Sequence, residues 1–301
     1  MKVTFSKYCL LSGMVILNLS SCIRDEIEPC PPLSVRVEVT DKNYFNVRAV
    51  DLEKPVDENL PLREYVSGLR YSLKCLSTGV IIEQNEVKKI EDDRNVYDIV
   101  FDDQLPHGKY EFTVFATGKD GGTLSFDDSG QNLKLHPSKS EGADIFLTTD
   151  TLVYDAWNYD YTAGLERVKG KLLILLENIP SDCMSSALSV NGLYDIVTPS
   201  FLYKGISSVD KAFPLSGQDS NSFLSGTVLS PSSGNGASTL SLVLKDVAGD
   251  VLPESGNLTV KVEMRRNELT LLRYTYGTGG NPVINLFVND HWEEIHGMEI
   301  D

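Results

Sequence analysis

Leu33-Ser-Val-Arg-Val-Glu-Val-Thr40 places Leu33, Val35, Val37 and Val39 on one side of an extended chain, with Ser34, Arg36, Glu38 and Thr40 on the other. Successive side chains of a strand point to opposite faces, so a period of two predicts a strand with one buried face. The same pattern recurs along the chain. Leu69, Tyr71, Leu73 and Cys75 alternate with Arg70, Ser72 and Lys74. Tyr97, Ile99 and Phe101 form a less clean set, and Tyr110, Phe112, Val114 and Ala116 alternate with Glu111, Thr113 and Phe115. Leu105-Pro-His-Gly-Lys109 and Gly118-Lys-Asp-Gly-Gly122 supply turns, because Pro and Gly take the dihedrals that turns need.

The second half repeats this grammar. Lys171-Leu-Leu-Ile-Leu-Leu-Glu177, bounded by Gly170 and Pro180, is too short for a confident helix and suits a buried strand. Alternation returns at Leu240, Leu242 and Leu244, at Leu258, Val260, Val262 and Met264, and at Ile284, Leu286 and Val288. No long stretch has a clean helical period, although Leu60 to Leu69 has room for a turn of helix. The fold class expected is all-β, two antiparallel β-sandwich domains. The division is placed in the aromatic stretch holding Tyr154, Trp157, Tyr159 and Tyr161, giving domains 33–155 and 156–301. Packing between domains is the simplest role for those aromatics, and a carbohydrate-stacking platform is the alternative.

Outward from Leu33 toward the start, the chain changes character. Lys2 and Lys7 precede an apolar run from Cys9 to Leu19, too short for a permanent membrane span, which ends in Leu19-Ser20-Ser21-Cys22. Residues 1–21 read as a signal peptide and Cys22 as a lipidation site, since an apolar residue and two small ones before a cysteine make a bacterial lipobox. Residues 22–32, acidic and proline-rich, form a tether that cannot continue a helix.

The formal charge is −16, and without the two leader lysines 25 basic residues face 43 acidic ones, a charge of −18. Such a polyanion is expected to repel nucleic acid and acidic lipid headgroups, so neither is expected as a partner. Cys22, Cys30, Cys75 and Cys183 have no zinc or redox spacing, and Cys75 falls on an apolar strand face. His291-Trp-Glu-Glu-Ile-His296 lacks the four-residue histidine spacing of a metalloprotease helix. Glu91-Asp-Asp93 and Asp127-Asp128 lack the ligand pattern of a calcium loop. No nucleophile elbow or phosphate loop is present. The expectation is a non-enzymatic protein with no catalytic residue, metal site or cofactor.

Leader, tether and β-domains together resemble the FimB-type family, the fimbrial anchor lipoproteins of Bacteroidetes. The resemblance rests on Cys22-Ile-Arg-Asp25 followed by Cys30-Pro31, on Leu105-Pro-His-Gly-Lys-Tyr-Glu-Phe112, on Val260-Lys-Val-Glu-Met-Arg-Arg-Asn267, and on Val283-Ile-Asn-Leu-Phe-Val-Asn-Asp290 before Trp292. It implies two transthyretin-like sandwiches, attachment to outer-membrane lipid through Cys22, and fimbrillin-type pilus subunits as partners. It further implies assembly by strand exchange. Residues 283–292 are then the candidate donor, with Ile284, Leu286 and Val288 filling pockets, and completion of its own domain is the equal alternative. Stalk subunits of this kind lose their first strand to an arginine-specific protease, and Arg36 and Arg48 lie where such a cut would fall. Asp150-Thr151-Leu152 resembles the O-glycosylation sequon of exported Bacteroidetes proteins, making Thr151 a candidate modification site. A surface lipoprotein presenting Trp157 to glycans, or a stalk or tip fimbrillin, is the alternative function.

Overall fold

The computed structural model describes residues 31–102, 105–215, 221–234, 236–255, 258–277, 281–288, 291–295 and 298–299. The leader, Cys22 and Cys30 lie outside the described residues. Leu33 opens β1 (Ser34–Val39), and the expected alternation holds: Leu33, Val35, Val37 and Val39 are all buried. β2 (Val66–Cys75), β3 (Ile81–Lys89), β4 (Tyr97–Val100) and β5 (Gly108–Gly118) follow. Between Leu60 and Leu69 the chain makes one short 3-10 turn, Leu62–Glu64. β6 (Ser125–Phe126) and β7 (Leu133–Lys134) are short, and β8 (Ile145–Tyr154) and β9 (Asp160–Arg167) complete the first lobe.

The strand order of this lobe is β3-β2-β5-β8-β9-β1-β4. β8 and β9 pair only at Phe146–Arg167 and Leu147–Glu166. The sheet therefore folds over at that corner, and its two parts enclose one core shared by β1, β2, β4, β5 and β9. Tyr71, Phe101 and Phe112 meet there with ring centroids 6.0–6.1 Å apart, within the range aromatic pairs prefer.

The second lobe begins with β10 (Gly170–Glu177), β11 (Ser185–Leu193), β12 (Ile196–Val197), β13 (Tyr203–Lys204) and β14 (Ser207–Pro214). β15 (Ser222–Leu229), β16 (Ser238–Lys245), β17 (Leu258–Val262) and β18 (Leu269–Thr275) follow. It ends with β19 (Val283–Val288), β20 (His291–Ile295) and β21 (Met298–Glu299). The sheet β15-β10-β18-β19-β20 packs on the sheet β14-β11-β16-β17-β21 around a second core. The apolar run of β10 is buried on both faces. Leu172, Ile174 and Leu176 enter that core, while Leu173 joins Tyr44, Val47, Val50, Leu269 and Leu271 in a separate cluster.

The all-β sandwich architecture is as read from the sequence, with three refinements. First, each lobe contains one parallel pair, β1 with β9 and β10 with β18, among otherwise antiparallel ladders. These partners are separated by most of a lobe, so the chain can return along the same direction. Second, the change from one lobe's sheet to the next falls at Val168-Lys169, not at 155/156, because Asp160–Arg167 is the ladder partner of β1. The aromatic stretch does not pack between lobes: Tyr154 is buried in the first core, whereas Trp157 and Tyr159 are exposed. Third, the outer face of β5 is not solvated. Residues 124–135 lie over it, burying Phe115 with Leu124, Leu133, Leu147 and Val168. Among the described residues no helix is long and apolar enough to cross a membrane.

Phe112 has no exposed surface and touches two other core rings. Phe112→Ala should cost about 3–5 kcal/mol, read as a fall in the urea midpoint with an unchanged slope.

Candidate functional site

The residues singled out from the sequence lie mainly in the first strand and the last strands, and a set of buried polar groups lies at the junction of the lobes. β1 is paired on both edges, antiparallel to β4 and parallel to β9. Arg36 projects from its outer face and pairs with Asp160. Arg48 sits in the short 3-10 turn Val47–Ala49 with its side chain largely exposed, 3.5 Å from Glu58. The flanking Val47 and Val50 are buried in the cluster that holds Leu173, so this turn is fixed at both shoulders.

Ile284, Leu286 and Val288 lie in β19, which pairs antiparallel with β18 on one side and β20 on the other. Ile284 is buried in the second core and Leu286 packs against it. In this structure, then, the strand completes its own lobe. The sequence reading singled out one face only. The other face carries Phe287, whose ring is 5.3 Å from that of Trp292, and Arg273 lies 4.5 Å above the indole. The signal was the unbroken apolar triplet Leu286-Phe287-Val288, which breaks the alternation of a one-faced strand. β20 is the sheet edge, and His291 pairs with Glu293 at 2.8 Å. Thr151 is an exposed residue of β8, opposite Glu111, on a stretch beyond the β8–β9 pairing. Cys75 is half-buried rather than enclosed, and hydrogen bonds with Ser77 and Thr78 bring its thiol down to about 7.

At the lobe junction, β7 of the first half pairs with β12 of the second in a small sheet, β13-β12-β7-β6. The chain after β7 is held by buried polar groups. Lys169 is 0% exposed and its ammonium donates to Leu135 O at 2.7 Å and Glu141 O at 2.8 Å. Burial lowers it to about 8, so it is still charged at neutral pH. His136 is also buried: Nδ1–H donates to Ser140 O at 3.1 Å and Nε2 accepts the Ser230 amide at 3.0 Å. That pair of bonds requires the neutral ring, and burial holds its pKa down at about 3. Glu141 reaches the second lobe, accepting from Lys211 Nζ at 2.5 Å and the Val228 amide at 2.6 Å. A polar cavity of about 510 Å³ opens beside these groups, with Tyr44, Tyr65, Glu53 and Arg167 in its wall. Its ions answer one another, Lys171 with Glu53 at 2.7 Å and Arg167 with Asp144 at 3.5 Å.

This geometry defines a pair of joined β-sandwiches whose first and last strands are both built into their own sheets. Solved structures sharing the architecture include a candidate adhesin from Bacteroides ovatus, 14% identical with a TM-score of 0.57, covering 92% of this chain and 98% of that one. A candidate polysaccharide-binding protein from Bacteroides thetaiotaomicron is 10% identical, with a TM-score of 0.57 over 88% of this chain and 98% of the other. The fimbrial anchor protein Mfa2 from Porphyromonas gingivalis is 12% identical, with a TM-score of 0.53 over 88% of this chain and 100% of that one. At these identities the likeness is one of fold. No family model matches the chain, and no curated protein does.

His136 stays neutral in the folded protein down to about pH 3, but takes up a proton below about pH 6.5 once unfolded. Its contribution is therefore complete above pH 6.5 and lost progressively as pH falls toward 3. Chemical denaturation of wild type and His136→Gln between pH 7 and 4 should show a steeper loss of stability in the wild type.

Proposed function

We propose that this chain is a structural, non-enzymatic subunit that holds a fimbria to the outer membrane through lipid on Cys22. The observation that carries the reading is the continuity between Cys22 and β1. Eleven residues after the candidate lipid site, Leu33 enters the first core, and the strand that follows is hydrogen-bonded along both edges. A pull along the chain is then borne in shear by two ladders at once. Burying the four apolar side chains of this segment stabilises the lobe by on the order of 6–12 kcal/mol, the scale of a whole domain's stability. A subunit under tension at the base of a filament needs its lipid attachment to run into such a strand. The likeness in fold to Mfa2, a fimbrial anchor, agrees with this reading.

The partners are fimbrillin-type pilus subunits, joined by β-strand exchange, in which main-chain hydrogen bonds supply affinity and alternate side chains fill pockets. The donor is the segment 283–292, with Ile284, Leu286 and Val288 as its inward set. Within one chain all three lie in β19, where Ile284 and Leu286 pack on the chain's own second core. Exchange substitutes a neighbour's sheet for the chain's own. An anchor role and a stalk role differ at β1. Cleavage after Arg48 would separate all of β1 from the body and leave a groove between β9 and β4, whereas cleavage after Arg36 would free only its first half.

Mass spectrometry of the protein extracted from assembled fimbriae in membranes decides between them. The expected N-terminus is an acylated Cys22 continuous with β1. A new N-terminus after Arg36 or Arg48 would overturn the anchor role in favour of a stalk subunit.

A further inference from the structure

The strand registers place three connections of the first lobe at the same end. Ser34 lies opposite Val100 and Asp160, Gly108 lies opposite Tyr154, and Cys75 lies opposite Tyr110. The turn after β2, the approach to β5 and the β8–β9 loop therefore surround Leu33. This is reinforced by hydrogen bonds from Ser34 N to Tyr159 O, from Phe101 N to Leu33 O and from Leu76 N to Lys109 O. The second lobe adjoins the opposite end, where Tyr44 and Val47 meet Leu173 and Leu269.

Exposed apolar side chains concentrate at the Leu33 end. The turn after β2 shows Leu76, Val80, Ile81 and Ile82 to solvent. Val100 and Val153 are exposed at their strand ends, and the β8–β9 loop carries Trp157, 89% exposed, with Tyr159. These make eight of the sixteen exposed large apolar side chains among the described residues. In a chain with 70 charged residues, Leu76 to Ile82 and Ala156 to Tyr159 contain none. The Trp157 loop is also held in shape. Asp155 Oδ1 accepts from the Trp157 amide at 2.8 Å and the Asn158 amide at 2.9 Å, and both Asp155 carboxylate oxygens accept from Asn158 Nδ2. A loop fixed by the Asp155 carboxylate and presenting an indole has its cost of ordering already met.

We infer that this end of the first lobe is a membrane-apposed face, with the Trp157 loop and the Val80 turn seated in the headgroup region of a lipid bilayer. The inference rests on the reading of Cys22 as the lipid site, and the length of chain between that residue and β1 decides the occupant. Eleven residues reach at most about 40 Å when fully extended, and they join the body at Leu33, in the middle of the apolar rim. A face held this close to a surface meets it at an effective concentration of about millimolar, so weak apolar contacts suffice. Tryptophan and tyrosine favour the membrane–water interface, where the ring is apolar and its polar edge stays wet. Docking would set the long direction of β1 across the bilayer plane and aim the second lobe, with β19 and β20, away from the membrane.

The chain has two tryptophans, Trp157 and Trp292, and the second lies in β20 of the other lobe. The test uses residues 22–301 carrying an N-terminal histidine tag, bound to vesicles of phosphatidylethanolamine, phosphatidylcholine and a nickel-chelating lipid. Attachment is then imposed whether or not the natural protein is acylated, and acylation is read separately by mass spectrometry. In Trp292→Phe protein, Trp157 emission should shift to the blue and be largely quenched when the acyl chains are brominated. In Trp157→Phe protein, Trp292 emission should be unchanged by bromination. Bound protein whose Trp157 emission stays that of an indole in water would overturn the inference, even with Cys22 fully acylated in cells. A shift of Trp157 produced without vesicles, by soluble glycans or by raising protein concentration, would also overturn it, assigning the face to carbohydrate or to a second copy.

Discussion

The first strand is the constraint on which the rest of this protein depends. β1 contributes Leu33, Val35, Val37 and Val39 to the core and fills the place between β4 and β9. Without it the two strands beside it would have no common partner, and the folded-over sheet would lose the wall facing β2 and β5. A strand at the start of a chain is ordinarily free to fray. Here it is interior, and its parallel partner β9 is the last strand of the lobe. The lobe is therefore closed by a non-local pairing, between its first strand and its last.

The two lobes are joined by buried polar groups and a short backbone ladder. The segment from Leu135 to Asp144 belongs to the first half, yet its carbonyls and side chains are satisfied by Lys169, Lys211 and Ser230 on the second-lobe side. Buried polar groups of this kind cost free energy unless every partner is present. The junction is therefore a single arrangement rather than a loose contact, and the small sheet joining β7 to β12 adds backbone ladder bonds to it.

Much of this was legible in the chain itself. The alternation in Leu33 to Val39, and in Tyr110 to Ala116, sets which side chains face the core, because a strand has only two faces and water selects between them. The run Leu172 to Leu176 announced a strand covered on both sides for the same reason. Phe115 misled because its covering segment, Leu124 to Leu135, lies elsewhere in the chain and no local period can report it. The lobe boundary misled likewise. Asp160 to Arg167 reads as the beginning of something new, and only its ladder with β1 returns it to the first lobe.

The sequence by itself determined the all-β architecture and the buried face of most strands. These are local properties, set by side-chain period. Tertiary structure alone decided the parallel pairing of β1 with β9, the packing of β19 on its second face through Phe287 and Trp292, and the gathering of Val80, Val100 and Trp157 around Leu33. Each of those depends on residues far apart in the chain arriving at one place. Strand register, which no single segment encodes, is the physical quantity that brings them there.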